Sequence, residues 1–138
     1  MITCHQVDLV QSSFAKVAPI ADAAAAMFYE RLFELDPSLR PMFRGDMAEQ
    51  GKKLMDMLKM VVANLRNLDR LIPGVRALGE RHSGYGVRDE HYETVGTALL
   101  DTLERGLGSF FTADVREAWA AAYSVLANTM KEAAAVAA

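Results

Sequence analysis

A single cysteine among 138 residues, Cys4, excludes an internal disulfide and any Cys-x-x-Cys metal or redox motif. The Cys-x-x-Cys-His run that attaches a cofactor through thioether bonds is missing too. Three histidines, His5, His82 and His91, lie too far apart in pattern for a zinc set, and no carboxylate cluster of ligand spacing joins them. Runs of valine, isoleucine and threonine of strand length are lacking, as are a phosphate-binding glycine loop, a Gly-x-Ser-x-Gly elbow and a Gly-x-Gly-x-x-Gly turn after a strand. No apolar segment approaches the ~20 residues needed to span a bilayer. The start, MITCHQVDLVQSS, has neither the basic residues nor the apolar run of a secretory leader, so a cytoplasmic protein without a membrane partner is expected. Nor is charge one-sided: 15 basic and 18 acidic side chains give a net of -3, and the basic ones are scattered. That pattern leaves no electrostatic footprint for nucleic acid.

Apolar residues recur at intervals of three and four, which predicts an all-α chain. One domain over residues 1–138 is expected, large enough to bury about two thirds of its unfolded surface. Thr3 and Gln6 have capping-box spacing and open a first helix to about Val17, and Pro19 breaks the chain before a second helix over 20–35. That helix carries Met27, Phe28, Leu32 and Phe33 inward. Asp36 and Pro37 start a turn that Pro41 keeps short, delivering Phe43 at its end. Asp46 and Glu49 form a second box, before a stripe of Leu54, Met57, Leu58, Val61 and Leu65 that Met47 and Gln50 extend backwards. A shorter pattern after Asn67 aligns Leu71, Val75, Leu78 and His82, and Gly84 and Gly86 end it. A helix over 89–105 carries Tyr92, Val95, Leu99 and Leu103 and stops at Gly106 and Gly108. Thr112 caps the last helix, where Trp119, Ala122, Leu126 and Met130 face inward before a terminal KEAAAVAA expected to fray.

Two residues break the apolar pattern. His82 ends its stripe, and a neutral imidazole there needs a partner for its buried nitrogen. The commoner arrangement is a core histidine bonded to a backbone carbonyl. Gln50 sits in the first turn of the longest stripe, where an amide is more often simply solvated. A flat apolar cofactor with an open metal position on each face would join the two, taking His82 as axial ligand and meeting Gln50 across the gap beside Phe43 and Leu54. Five of the eight methionines fall between 42 and 60, which raises a histidine and methionine ligation, although methionine at helical spacing is usually core filler.

The stretch LGERHSGYGVRDEHYETVGTALLDTL, with AMFYERLFELDPSLRPMF upstream, resembles the bacterial single-domain globins and the haem domain of flavohaemoglobins over essentially the whole chain. The interval of 32 residues from Gln50 to His82 matches that family's distal-to-proximal spacing. The resemblance implies a globin fold, helices crossing around a haem pocket, and haem b (iron protoporphyrin IX) as cofactor. It makes His82 the proximal iron ligand, Phe43 the aromatic wedge on the porphyrin, Gln50 the distal residue, Tyr29 a second distal polar group and Leu54 the apolar ceiling. Leu78, Val87, Val95 and Leu126 become wall residues, Tyr92 returns beside the proximal side, and Lys53 reaches the cofactor or competes for ferric iron. In flavohaemoglobins a tyrosine at that place and a glutamate of the last helix polarise the proximal imidazole. Here the glutamate's place falls on Ala134, and Glu132 is two residues off, roughly 200° around the helix.

On this resemblance the protein binds dioxygen reversibly as carrier, scavenger or reservoir, with Tyr29 and Gln50 donating hydrogen bonds to the bound gas. Carbon monoxide and nitric oxide are further ligands. The alternatives are a nitric oxide dioxygenase, in which Tyr29 and Gln50 act catalytically, and a ligand sensor. The chain ends at Ala138, so turnover is expected to need a separate flavin reductase, and the protein is expected as monomer or homodimer.

Overall fold

The computed structural model describes residues 2–43, 46–84 and 89–137, and of these leaves aside the side chains of Met42, Leu68, residues 80–84, Asp89 and residues 134–137. Within them the chain is helical and no strand occurs. Helix α1 (Cys4–Val17) starts on the expected box: the Thr3 hydroxyl accepts from the Gln6 N–H at 3.1 Å and the Gln6 side-chain Oε1 accepts from the Thr3 N–H at 2.9 Å. A 3-10 turn through Pro19 leads to α2 (Ala21–Leu35), and a second turn, Pro37–Met42, follows Asp36, whose carboxylate accepts from the Ser38 N–H.

Helix α3 (Met47–Ala63) is capped by Asp46, whose carboxylate accepts from the Ala48 N–H at 2.9 Å; the reciprocal bond from Glu49 is absent among the described residues. It stops short of Leu65, because Asn64 turns its side-chain amide back to the Met60 carbonyl at 2.8 Å. Leu65 reaches the core from a 3-10 turn instead. Helix α4 (Leu68–Gly84) is as long as α3, not shorter as its pattern suggested, and accommodates Pro73 within its second turn. Helix α5 (Asp89–Leu107) runs through Gly106, since the buried Leu103 and Leu107 hold its last turn; the chain turns at Gly108, whose φ of 56° suits glycine. Thr112 accepts from the Val115 N–H at the start of α6 (Ala113–Ala137).

Among the described residues no helix is long and apolar enough to cross a membrane. Helix α6 packs on α1 and α4, while α2 crosses α3 and α5. Side chains from all six helices join one apolar core, with Trp119 at its centre, 2 % exposed, donating from Nε1 to the Ser13 hydroxyl at 2.8 Å. By contrast α3 and α4, which carry Gln50 and the His82 position, are not a closely packed pair among the described residues.

Candidate functional site

Two close crossings fix the walls of the space between α3 and α4. A Cβ on Gly51 would stand 3.0 Å from the Ala25 Cβ, so the first turn of α3 lies directly on α2. Tyr29 is one turn after Ala25 on the same face of α2, and Gln50 immediately precedes Gly51. The crossing therefore brings a tyrosine and a glutamine, 21 positions apart in sequence, to one place, with the Gln50 side chain near enough to act on the Tyr29 hydroxyl. Tyr29 is 6 % exposed, and burial raises its pKa above the ordinary tyrosine value, with the nearby Gln50 side chain offsetting part of that rise. Its hydroxyl is thus a neutral donor throughout the physiological range.

Aromatic rings enclose this pair. Phe43 meets Tyr29 edge-on at 5.3 Å and Phe33 at 5.6 Å, Phe28 lies edge-on to Tyr29 at 5.0 Å, and the Arg40 guanidinium covers the outer side of Phe33 at 5.2 Å. The turn after Asp36 delivers Phe43 at its end, as expected, and there the ring lies beside Tyr29. Leu54, one turn after Gln50, is half-buried, and Lys53 is exposed.

The second crossing is tighter. A Cβ on Gly79 would stand 2.5 Å from the Met130 carbonyl oxygen and 2.7 Å from its Cα, so α4 touches the backbone of α6 one turn before His82. The backbone of residue 82 belongs to α4, but its ring lies outside the described residues, as do the whole of Gly86 and Val87 and the side chain at Ala134. Leu78 and Val95 are half-buried, and Leu126 is buried. Tyr92 is buried on α5, and its carbonyl accepts from the Tyr123 hydroxyl at 2.6 Å.

Lys131, which sequence reasoning passed over, brings its ammonium 5.6 Å from the centre of the Tyr92 ring, whereas Glu132 is exposed. His91 was likewise missed: it is buried beside Asp36. The Asp36 carboxyl is held below its ordinary pKa chiefly by the Ser38 hydroxyl, with a smaller pull from His91. A polar residue at a helix start is a weak signal in sequence, because its burial depends on how the helices pack.

The arrangement has a consistent chemical character. Phe43, Leu54, Leu78 and Val95 are apolar and rest against the core, yet each remains only partly covered. The neutral Tyr29 hydroxyl belongs to a ring that sits beside Phe43, and the Gln50 side chain lies near that hydroxyl. Such a donor set suits a flat apolar group that carries a small polar ligand.

Comparison with known proteins gives the same picture. The Globin family profile matches residues 26–130. A flavohemoprotein of Xylella fastidiosa is 34% identical over 137 residues, covering 96% of this chain and 34% of the relative. A flavohemoprotein of Vibrio cholerae is 28% identical over 131 residues, 93% of this chain and 33% of the relative. The chain thus spans about a third of the length of these curated relatives. Among solved structures, a bacterial globin from Campylobacter jejuni superposes with a TM-score of 0.85 at 25% identity, covering 97% of both chains. An engineered carbene transferase, made from a provisionally named nitric oxide dioxygenase of Rhodothermus marinus, gives 0.89 at 26% identity, covering 99% of this chain and 95% of that one.

Proposed function

The chain belongs to the globin family, and from that premise we propose that it is a haem b protein that binds dioxygen reversibly, as carrier, scavenger or reservoir. We read residues 1–138 as one globin domain, since buried side chains from all six helices join a single core. Haem, when bound, supplies an iron at which a small diatomic gas is held. In this reading His82 would hold the iron, and Phe43, Leu54, Leu78, Val87, Val95 and Leu126 would take the apolar surface of the ring. Tyr92 and Lys53 would also contribute to holding it. The partly covered apolar side chains at 43, 54, 78 and 95 support this assignment.

The observation that carries the proposal is the buried Tyr29 beside Phe43, with the half-buried Gln50 close to its hydroxyl. Burial keeps the Tyr29 proton in place well into alkaline solution, and the Gln50 amide has N–H groups of its own, so each can donate to the gas. Hydrogen bonds to an acceptor that carries charge contribute about 1.5 to 3 kcal/mol each, or roughly ten- to a hundredfold in residence time. Carbon monoxide, a poorer acceptor, gains less. Replacing both donors, Tyr29→Phe with Gln50→Leu, is therefore expected to speed dioxygen release by about tenfold or more while changing carbon monoxide release much less. Unchanged dioxygen release would show that the donors point elsewhere.

The Rhodothermus neighbour and the flavohemoprotein relatives favour a second reading, nitric oxide dioxygenase activity. Nitric oxide, dioxygen and one electron combine to nitrate, the electron coming from a separate flavin reductase. Tyr29 and Gln50 would then orient dioxygen for attack. Sustained nitrate formation with a flavin reductase and reduced nicotinamide supports this reading; a single turnover that stalls leaves gas binding as the better description.

A further inference from the structure

Helices α4 and α6 advance side by side in the same direction. Leu71, Ile72 and Val75 share a cleft with Ala122, Val125 and Thr129, and four residues past Val75, Gly79 meets the Met130 backbone. Each turn of α4 is thus matched by a turn of α6, and the backbone of residue 82 lies alongside the turn that begins at Lys131. Lys131 is half-buried, and its side chain crosses to α5, where the ammonium lies 5.6 Å from the centre of the buried Tyr92 ring. Tyr92 is itself fixed against α6. Its carbonyl accepts from the Tyr123 hydroxyl, and one turn on, Gly96 makes room for the Tyr123 ring, which a Cβ there would meet at 2.8 Å.

A surface lysine ordinarily lays its stem along apolar groups and leaves its charge in water. Lys131 instead rests its charge on an aromatic face, and no ion pair joins it among the described residues. A charge partly withdrawn from solvent acts on its neighbours more strongly than an exposed one. Its neighbourhood is the one that the proposed function assigns to haem: residue 82 on α4 and Tyr92 on α5. Resting on that reading, we propose that Lys131 sets the charge on the His82 side of the haem, its ammonium favouring ferrous over ferric iron. Oxidation leaves one more positive charge on the iron, and a cation held nearby opposes it. Reduction takes one electron from an outside donor, and no bond in the protein forms or breaks. Ferrous iron is the form that takes up dioxygen, so the same charge keeps more of the protein ready to bind.

The test is a redox titration of the haem-loaded full chain without oxygen, the ferric-to-ferrous ratio being read from the visible spectrum at set potentials. Lys131→Met should raise that ratio by about threefold or more at a given potential, which for one electron at ~59 mV per tenfold is a fall of roughly 30 mV. Lys131→Glu should move it further in the same direction, and Lys131→Arg, which keeps the charge, should stay close to wild type. Lys131→Gln takes the place of the methionine variant where that one does not fold. Lys16 is the control: its ammonium lies 4.2 Å from the centre of the Phe110 ring, before the start of α6, and Lys16→Met should leave the ratio unchanged. Met and Glu variants that titrate with wild type, an Arg variant shifted as far as Met, or an equal shift in Lys16→Met would each overturn the inference. A protein that holds no haem, or holds it unchanged in His82→Ala, would overturn the haem reading along with it; haem that depends on His82 but ignores the charge at 131 would overturn this inference alone.

Discussion

Gly74 and Gly79 lie five residues apart in α4, and the same substitution at each is expected to act with opposite sign. In a helix interior, alanine is better than glycine by about 1 kcal/mol, because glycine loses more backbone freedom on folding. At Gly74 nothing lies within 4 Å of the added Cβ, so Gly74→Ala should keep most of that gain, about 0.5–1 kcal/mol of added stability. At Gly79 the Cβ meets two backbone atoms of Met130, at 2.5 and 2.7 Å, about 1 Å inside ordinary contact. No side chain can rotate to relieve this; α4 and α6 must move apart. Overpacking of a well-filled interface costs about 1–3 kcal/mol, which exceeds the propensity gain. Both variants share the propensity gain, so they should differ by the overpacking cost alone, roughly 1–3 kcal/mol in urea unfolding, with Gly79→Ala the less stable. The assay needs a fixed haem stoichiometry, since a ligand that binds only the folded state adds its own stabilisation. Residue 82 follows Gly79 by one turn, about 4.5 Å along the axis. Gly79→Ala should accordingly also retain haem less well, and Gly74→Ala should not. Equal shifts, or a Gly79→Ala protein as stable as wild type, would refute the close α4–α6 crossing and the positioning built on it.

Two further outcomes follow from buried polar groups. Ser13→Ala should destabilise the fold by about 1–3 kcal/mol, because it leaves the indole N–H of the fully enclosed Trp119 without its acceptor; denaturation followed by the fluorescence of this one tryptophan reads it directly. Burial raises the pKa of both Tyr29 and Tyr123, so above about pH 10 the unfolded chain releases protons that the folded chain retains. Stability should thus be level below that pH and fall above it, and Tyr123→Phe should flatten the fall; a decline that is unchanged in Tyr123→Phe would contradict this assignment.

Local chemistry was the part of the fold that the sequence disclosed most fully. The Thr3 and Gln6 box forms because both partners lie within one turn and need no help from the rest of the chain. Helix order and the inward faces of α5 and α6 were legible for a similar reason: a period of three and four encodes which side is buried. Helix ends were less so. Gly106 reads as a stop, yet burial of Leu103 and Leu107 outweighs the roughly 1 kcal/mol cost of one glycine, and α5 continues to Leu107. Leu65 belongs to the buried stripe but not to α3, because Asn64 offers the backbone an alternative partner.

The candidate site divides along the same line. Resemblance to a family selected Tyr29, Phe43 and Gln50, and the structure does bring these three together. No local rule could have paired residues 29 and 50; their meeting depends on the glycine at 51 that lets two helices touch. Lys131 was hidden for the same reason: its long stem reaches the Tyr92 ring across the α5–α6 contact, which helical spacing alone does not show.

The central claim, that His82 and the Tyr29–Gln50 pair face a haem able to hold a diatomic gas, is tested most directly by visible absorption. The purified protein would be reduced without oxygen, measured, exposed to oxygen and measured again, beside His82→Ala. The account predicts one broad visible band on reduction that splits into two with oxygen, and loss of haem or of this spectrum in His82→Ala. Sharp split bands already present before oxygen, or a His82→Ala protein with unchanged haem content and spectrum, would contradict it.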